Sequence, residues 1–311
     1  MKISFVLSTT IILIVVICLC IYFAYFYVAD ENDSYTSEYL AKEDDKYITL
    51  NDFTAHYIVK GEGEPLVLIH GGGSWLFSYR NNMEELSKYY KVYAVDMPGH
   101  GYTTSNTKVK YDLDTYADFL KEFLDSQKIS KARIVGHSWG GGWALYFTEK
   151  YPQMVSQLAL LDSSGLDRPD QSEWKYFEYP MIGEIISKCI NKNNTKNSLK
   201  NMFVDQSMIT DLYVEEIYTP LSYQDNRKAQ VLAQRNLNWK ITEENVEKVT
   251  QSTLIIFGDK DCYFDKKYQD ELHSKLQKSK LIVIENTSHM PHEEKYEYID
   301  SLLLEFFREN K

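Results

Sequence analysis

Six short apolar runs recur along the chain, and small or polar residues close each one. They read PLVLIHGGG, KVYAVDMPGHG, ARIVGHS, SQLALLDSSG, STLIIFGDKD and SKLIVIENTSH. Runs that are apolar at every position, without alternation, are typical of strands buried on both faces. Segments with helical apolar spacing separate them, and the rhythm of strand and helix predicts an α/β fold. We expect a mostly parallel sheet with helices on both faces.

One part of the chain breaks this rhythm. Residues 166–249 contain no buried-strand pattern and resemble several helices in sequence, so we interpret them as a helical lid inserted over the end of the sheet. The core would then consist of residues 46–165 and 250–311. A chain of 311 residues has room for one α/β domain with such an insertion.

The N-terminal segment has a different character. Phe5 to Ala29 carry no charge, and as a helix they would extend roughly 37 Å, enough to cross a hydrocarbon core of about 30 Å. We therefore predict a single transmembrane anchor over residues 1–29, followed by an acidic tether over residues 30–45. A cleaved signal peptide is the alternative, although its apolar region is usually about 7–15 residues long. Lys2 precedes the segment and Lys42 and Lys46 follow it, so the Lys and Arg bias is nearly nil. We expect a cytoplasmic N-terminus, with the main domain on the exoplasmic side of the bilayer.

Net charge and motif content exclude several classes of partner. A net charge of -11 repels phosphate backbones, so we expect no nucleic-acid partner. The four cysteines have neither metal-ligand spacing nor the number for a disulfide framework. The glycine run after PLVLI lacks both the G-x-G-x-x-G spacing and a following Gly-Lys-Ser/Thr. We therefore expect no metal and no other cofactor.

The chemistry concentrates at Gly136-His137-Ser138-Trp139-Gly140, which fits G-x-S-x-G between a buried strand and a helix. The turn in such a motif is tight. Glycines flank it because Cβ atoms there would collide with the neighbouring strand and helix. The turn lifts the serine hydroxyl above the sheet edge at a helix N-terminus, where the dipole favours negative charge. Ser138 is therefore the predicted nucleophile.

A nucleophilic serine needs a base, and the base needs an orienting carboxylate. Asp259 and Asp261 follow one later strand, and His289 follows another, so all three lie where the catalytic edge of the sheet is expected. We predict the order Ser138, Asp261, His289. The oxyanion of the tetrahedral intermediate would be bound by the N–H of Trp139 and by an N–H from the loop His70–Gly73.

These motifs resemble the α/β-hydrolase superfamily over residues 47 to 311. The matching stretches are HGGGSW, DMPGHGYT, GHSWGG, GDKD and SHMPHEE. The resemblance is to lidded members: epoxide hydrolases, carbon–carbon bond hydrolases, proline iminopeptidases, small esterases and monoacylglycerol lipases. It implies that Asp261 rather than Asp259 is the acid, because the acid is the fourth residue of G-x-x-D. It also implies that Gly72 supplies the second oxyanion N–H.

The expected function is cleavage of carboxylic esters, including lipid-like ones, by a membrane-anchored serine hydrolase that forms an acyl-enzyme. Epoxide hydrolases carry aspartate where this chain has Ser138, which disfavours their reaction here. Carbon–carbon or amide cleavage by the same triad stays open. The remaining alternative is a catalytically weak homologue that binds a ligand.

Overall fold

The computed structural model of the protein describes residues 2–169 and 172–309, with side chains from residue 9 onward. One nine-stranded sheet forms the centre of this part of the chain. The strands are β1 (Asp45–Thr49), β2 (Phe53–Lys60), β3 (Pro65–Ile69), β4 (Lys91–Val95), β5 (Thr104–Ser105), β6 (Ala132–His137), β7 (Val155–Leu161), β8 (Ser252–Gly258) and β9 (Ser279–Ile284). Every apolar run named above forms one of these strands.

The sheet order is β1-β2-β4-β3-β6-β7-β8-β9, with β5 paired to β2. The six strands from β4 to β9 in this order are parallel, whereas β2 runs antiparallel to β1, β4 and β5. The predicted mostly parallel sheet is confirmed. The strand order reverses between β3 and β6, and the carboxyl ends of parallel strands on either side of such a point enclose a crevice.

Strand β3 shows why the apolar runs have no alternation. Its residues Leu66, Val67, Leu68 and Ile69 are all fully buried. Successive side chains on a strand point to opposite faces. Accordingly Val67 and Ile69 belong to one hydrophobic cluster, and Leu66 and Leu68 to the other. A strand covered on both sides has no position at which a polar side chain would reach water.

Helices cover both faces of the sheet. Phe123 and Phe147, from helices on one face, lie in the first cluster, and Leu86 and Phe307, from helices on the other face, lie in the second. The helices of the core are α2 (Asn82–Leu86), α3 (Leu113–Ser126), α4 (Trp139–Lys150), α10 (Lys266–Lys275), α11 (Pro291–Glu294) and α12 (Tyr296–Glu309). Asp112 is the N-cap of α3, and its side chain accepts a hydrogen bond from the Thr115 N–H at 2.9 Å.

The segment predicted as a lid lies between β7 and β8. Its described residues form helices α5 (Ile182–Lys188), α6 (Lys192–Met202), α7 (Asp211–Ser222), α8 (Gln224–Asn236) and α9 (Trp239–Asn245), together with short 3-10 turns. Trp75, in the loop after β3, donates its indole N–H to the Glu216 carbonyl of α7 at 2.8 Å. The insertion is thereby bonded to the core beside the glycine-rich loop.

The N-terminal helix α1 covers Lys2–Tyr25 and packs its last turn on α5 of the insertion. Lys188 donates hydrogen bonds to the carbonyls of Ala24 (2.8 Å) and Tyr27 (2.6 Å) at the end of this helix. Among the residues whose side chains are described, no helix is both long and apolar enough to cross a bilayer. The transmembrane anchor stays a prediction.

Residues 30–45, predicted as an acidic tether, run along the insertion. The buried carboxylate of Glu216 on α7 accepts hydrogen bonds from the Tyr35 hydroxyl (3.0 Å), the Ser37 hydroxyl (2.7 Å) and the Tyr39 N–H (3.1 Å). Asn32 reaches the same helix through Thr219 at 2.8 Å. The segment therefore joins α1 to the core by a path that is bonded to the insertion.

Candidate active site

Ser138 occupies the turn between β6 and α4 with φ +53° and ψ -123°, a conformation that residues with a Cβ rarely adopt. A Cβ on Gly136 would lie 2.4 Å from the Gly140 carbonyl oxygen, and one on Gly140 would lie 2.2 Å from the His70 carbonyl oxygen. The predicted reason for the two glycines is thus confirmed. The Ser138 N–H donates to the Leu161 carbonyl at 3.0 Å, which ties the turn to the end of β7.

The predicted acid and base are in contact. His289 Nδ1 lies 3.1 Å and 3.2 Å from the two carboxylate oxygens of Asp261. The Asp261 carboxylate also accepts the Tyr263 N–H at 2.7 Å. Burial opposes its ionisation, but the contact with His289 and the hydrogen bonds outweigh burial, so the pKa of Asp261 lies below its ordinary value. An ionised Asp261 would hold the proton of His289 on Nδ1 and leave Nε2 as the basic nitrogen.

Asp162 lies directly behind this pair. It follows β7, the strand between those that carry Ser138 and Asp261, and its side chain is fully buried. One carboxyl oxygen accepts the Gly258 N–H at 3.0 Å, and the carboxyl group lies within 4.8 Å of the Asp261 carboxylate. Burial first and the neighbouring Asp261 second raise the pKa of Asp162 well above its ordinary value. Asp162 is thus a neighbour of the acid that contacts His289.

The donor atoms of Asp162, Asp261 and His289 lie within 4.8 Å of one another. This spacing also occurs in cation sites. Here the hydrogen bond from His289 to Asp261, and the position of both acids at the ends of adjacent strands, account for it.

Two buried histidines support the catalytic loop. His137 donates its Nε2–H to the His289 carbonyl at 2.7 Å, and its ring lies 4.5 Å from that of His292, centroid to centroid. Burial and then the neighbouring histidines lower the pKa of His137. Burial, with Arg80 and His289 nearby, lowers the pKa of His292 to about 3. Both rings are therefore neutral at physiological pH.

The predicted oxyanion donors lie side by side. A Cβ added to Gly72 would come within 2.5 Å of the Trp139 indole, so only glycine allows this loop to approach the start of α4. Asp96 fixes the position of the loop by accepting the Leu76 N–H at 2.7 Å and the Tyr102 N–H at 2.9 Å. Asp96 therefore ties the loop after β3 to its own turn through its carboxylate.

Ser138, Gly72, Trp139, Asp261 and His289 all line one cavity of about 1020 Å³ beneath the insertion. This volume is at the upper end of the range for small-molecule sites. Apolar side chains of the insertion form the far wall: Phe177, Ile186, Ile190, Leu199, Ile217 and Leu221. The lining also includes charged residues, among them Asp167, Arg168, Glu173, Glu178, Asp265 and Lys267. The cavity therefore suits a largely apolar molecule that carries one reactive polar group.

The sequence that carries this site matches a known protein family. The family of the alpha/beta hydrolase fold matches residues 64–296, three quarters of the chain. The chain belongs to the α/β-hydrolase family. The expectation drawn from the motifs is confirmed.

Individual relatives of this α/β-hydrolase differ in their reactions. The uncharacterized hydrolase YugF of Bacillus subtilis is 26% identical over 260 residues, which cover 83% of this chain and 95% of that protein. Mouse epoxide hydrolase 4 is 24% identical over 289 residues, which cover 85% and 79%. A meta-cleavage product hydrolase from Pseudomonas fluorescens, solved with acetates, superposes with a TM-score of 0.76 at 25% identity, over 86% of this chain and 98% of that one.

Sequence reasoning missed two contacts in the site of this α/β-hydrolase. The His289 N–H donates to the Met202 carbonyl at the end of α6, so the insertion holds the catalytic loop. The proximity of Asp162 to Asp261, within 4.8 Å, was also missed, although the two residues follow strands that are adjacent in the sheet. The signal for the second contact was available, because residues at equivalent ends of adjacent strands are neighbours.

Acid should destabilise the fold through the neutral buried histidines. The unfolded chain binds a proton on each imidazole near pH 6.5, whereas folded His292 does so only near pH 3. Its contribution to stability is complete above about pH 6.5 and is lost as the pH falls toward 3. Each such histidine adds a slope of up to about 1.4 kcal/mol per pH unit in this window.

The measurement is urea unfolding at about pH 5 and about pH 7.5. His292→Phe should reduce the loss of unfolding free energy between the two pH values. His273→Gln, at a partly exposed position on α10, serves as the control and should leave the loss unchanged. An equal loss in wild type and His292→Phe would contradict the assignment of a neutral buried ring.

Proposed function

We propose that this α/β-hydrolase is a serine hydrolase that cleaves carboxylic esters with a large apolar group through an acyl-enzyme. The observation that carries the proposal is the strained serine turn, which opens into the same cavity as a hydrogen-bonded His289–Asp261 pair. Backbone strain at a residue that faces a cavity is common at catalytic positions. The apolar far wall of the cavity supports a substrate with a long or bulky hydrocarbon part.

In the proposed mechanism His289 Nε2 takes the Ser138 proton while Oγ attacks the ester carbonyl carbon. The N–H groups of Gly72 and Trp139 bind the oxyanion of the tetrahedral intermediate. Collapse of the intermediate breaks the bond to the alcohol oxygen, which takes the proton from His289. Water then repeats the sequence on the acyl-Ser138 ester, with His289 as the base. Asp261 keeps the imidazole in the required tautomer throughout.

Carbon–carbon bond cleavage is the second candidate, because a meta-cleavage product hydrolase is among the structural relatives at 25% identity. The same nucleophile and base would serve both reactions. A substrate panel of p-nitrophenyl esters of increasing chain length and of vinylogous diketones separates them. Turnover of the diketones alone would replace the ester proposal with this one.

Membrane attachment belongs to the same proposal. Residues 11–17 of α1 are all isoleucine, leucine or valine, and their side chains are exposed. Helix α5 lies between α1 and the cavity, since it contacts α1 and lines the cavity through Ile186. We propose that α1 inserts in a bilayer, with the hydrolase domain on the exoplasmic side. The cavity would then lie close to the lipid phase that supplies the ester.

Fluorophosphonate labelling tests the nucleophile. Wild type should be labelled, whereas Ser138→Ala should not be labelled at all and His289→Ala should react at least about a hundredfold more slowly, since general base catalysis contributes 10²–10⁴. Ser198→Ala, which alters another serine of the cavity lining, is the matched control and should behave as wild type. Failure of folded wild type to react, or labelling of Ser138→Ala, would refute the proposal and favour the ligand-binding alternative.

Gly72→Ala tests the oxyanion site. Because the added Cβ would meet the Trp139 indole, the loop or the ring must move, and a shift of the loop displaces the Gly72 N–H. Removal of one such donor lowers kcat by about 10²–10³, so we expect a fall of that order in kcat at little-changed KM.

Ser74→Ala is the control for Gly72→Ala. It lies in the same loop, adds no Cβ, and removes a buried hydroxyl that has no hydrogen-bond partner in the described part of the chain. It should retain wild-type kcat. Wild-type kcat in Gly72→Ala would mean that the oxyanion binds elsewhere.

Replacement of Val15 and Ile17 by lysine tests the anchor. Each lysine at the centre of a spanning helix costs about 2.5–3.5 kcal/mol, so the doubly substituted chain should leave the carbonate-resistant membrane pellet of expressing cells. Tyr298→Lys, at an exposed position on α12, is the control and should stay in the pellet. Recovery of wild type in the soluble fraction would refute the membrane anchor without affecting the hydrolase proposal.

A further inference from the structure

Asp162 is a fully buried titratable group of the site, and the reaction sequence above does not use it. It follows β7 with φ +41°, a strained conformation for a residue with a Cβ. Its N–H donates to the Ile256 carbonyl at 2.8 Å, and one side-chain oxygen accepts the Gly258 N–H at 3.0 Å. Two hydrogen bonds to β8 thus hold the residue in this conformation. Strain that the surroundings maintain in this way points to a function at the position.

The second carboxyl oxygen of Asp162 is buried and has no hydrogen-bond partner among the described residues, and a carboxyl oxygen of Asp162 lies within 4.8 Å of one of Asp261. A hydrogen bond between two carboxyl groups needs one proton. Two buried carboxylates in contact cannot both be ionised. Asp261 already accepts bonds from the Tyr263 N–H and from His289, all of which favour its ionised form. The proton of the pair therefore belongs to Asp162.

The other groups around Asp162 agree with this assignment. The carboxylates of Asp261 and Glu294 raise the pKa of Asp162, and the Gly258 N–H lowers it. A His289 ring nitrogen lies within 4.8 Å, and Cys262 is nearby on the loop after β8. Burial and the two acids all favour the neutral form of Asp162, and only the Gly258 N–H favours the charged form.

We propose that Asp162 is a positioning residue that, as a neutral carboxylic acid, donates a hydrogen bond to Asp261 and so fixes the carboxylate that orients His289. The inference rests on the proposed serine hydrolase function. Asp162 touches neither substrate nor nucleophile in this account, and it acts through Asp261 alone. The nucleophile, base and acid thus extend to a fourth residue on the strand between them.

The pH dependence of fluorophosphonate labelling of the full chain tests this proposal. Asp162→Asn keeps a neutral donor toward Asp261 and an acceptor for Gly258. Its labelling rate should therefore stay within about threefold of wild type. The pH at which the rate falls to half on the acid side, the midpoint of the acid limb, should not change. If Asp162 were instead ionised, the same substitution would remove a negative charge near His289 and lower the midpoint by about 1 pH unit. That downward shift would overturn the proposal.

Asp162→Ala supplies the second arm. Without the donor, less of the negative charge of Asp261 is neutralised, so Asp261 stabilises the protonated form of His289 more strongly. The midpoint of the acid limb should therefore move to higher pH. The labelling rate should fall about tenfold or more. A fall in rate with an unmoved limb would indicate a purely structural role and would overturn the proposal. Unlabelled wild type would instead count against the serine hydrolase itself, so the two failures are distinguishable.

Infrared difference spectroscopy covers the case in which Asp162→Ala does not fold. At neutral pH, wild type minus Asp162→Asn should show the carbonyl stretch of a protonated carboxylic acid. Burial raises the pKa of Glu149 to about 9, so Glu149→Gln is the control: it should remove a separate protonated band and leave the band of Asp162 in place. Loss of a carboxylate band in Asp162→Asn, with no protonated band, would show that Asp162 is ionised.

Discussion

The close approach of α4 to strands β3 and β6 determines the geometry of the site. Gly140 lies against the His70 carbonyl, and Gly136 lies against Gly140, with no room for a methyl group at either position. That contact forces Ser138 into its strained turn, and it brings the glycine loop of β3 beside the first turn of the helix. Nucleophile and proposed oxyanion donors are thus positioned by the same backbone packing. No side chain needs to adjust for them to meet.

The insertion is bonded to each of the catalytic loops rather than resting on the sheet. Trp75 after β3 bonds to α7, and the His289 N–H bonds to the Met202 carbonyl of α6. Tyr213 of α7 donates to the buried carboxylate of Glu293, which also pairs with Arg80. A displacement of α6 or α7 would therefore reach the base and the oxyanion loop together. The N-terminal segment, bonded to Glu216 of α7, belongs to the same unit.

Much of the fold and the candidate site was predictable from local sequence. Strands buried on both faces leave uninterrupted apolar runs, and residues at the carboxyl ends of parallel strands converge by topology alone. Ser138, Asp261 and His289 could therefore be named without coordinates. The path of residues 30–45 could not be predicted, because their acidic and polar composition carries no sign of Glu216, whose carboxylate they meet nearly two hundred residues later. Asp162 was visible as an acid at a strand end, but its role depends on burial and on a shared proton, which composition does not report.

The relatives of this α/β-hydrolase act on different bonds, so the shared core does not select the substrate. In this chain the insertion contributes most of the apolar lining of the cavity. Helix α5 has a double position, since Ile186 faces the cavity while Lys188 binds the end of α1. Any ligand that moves α5 must act on the N-terminal helix as well. If that helix lies in a bilayer, a change in its position shifts α5 and so alters the shape of the cavity. The choice of substrate would then depend on how α1 is held in the membrane.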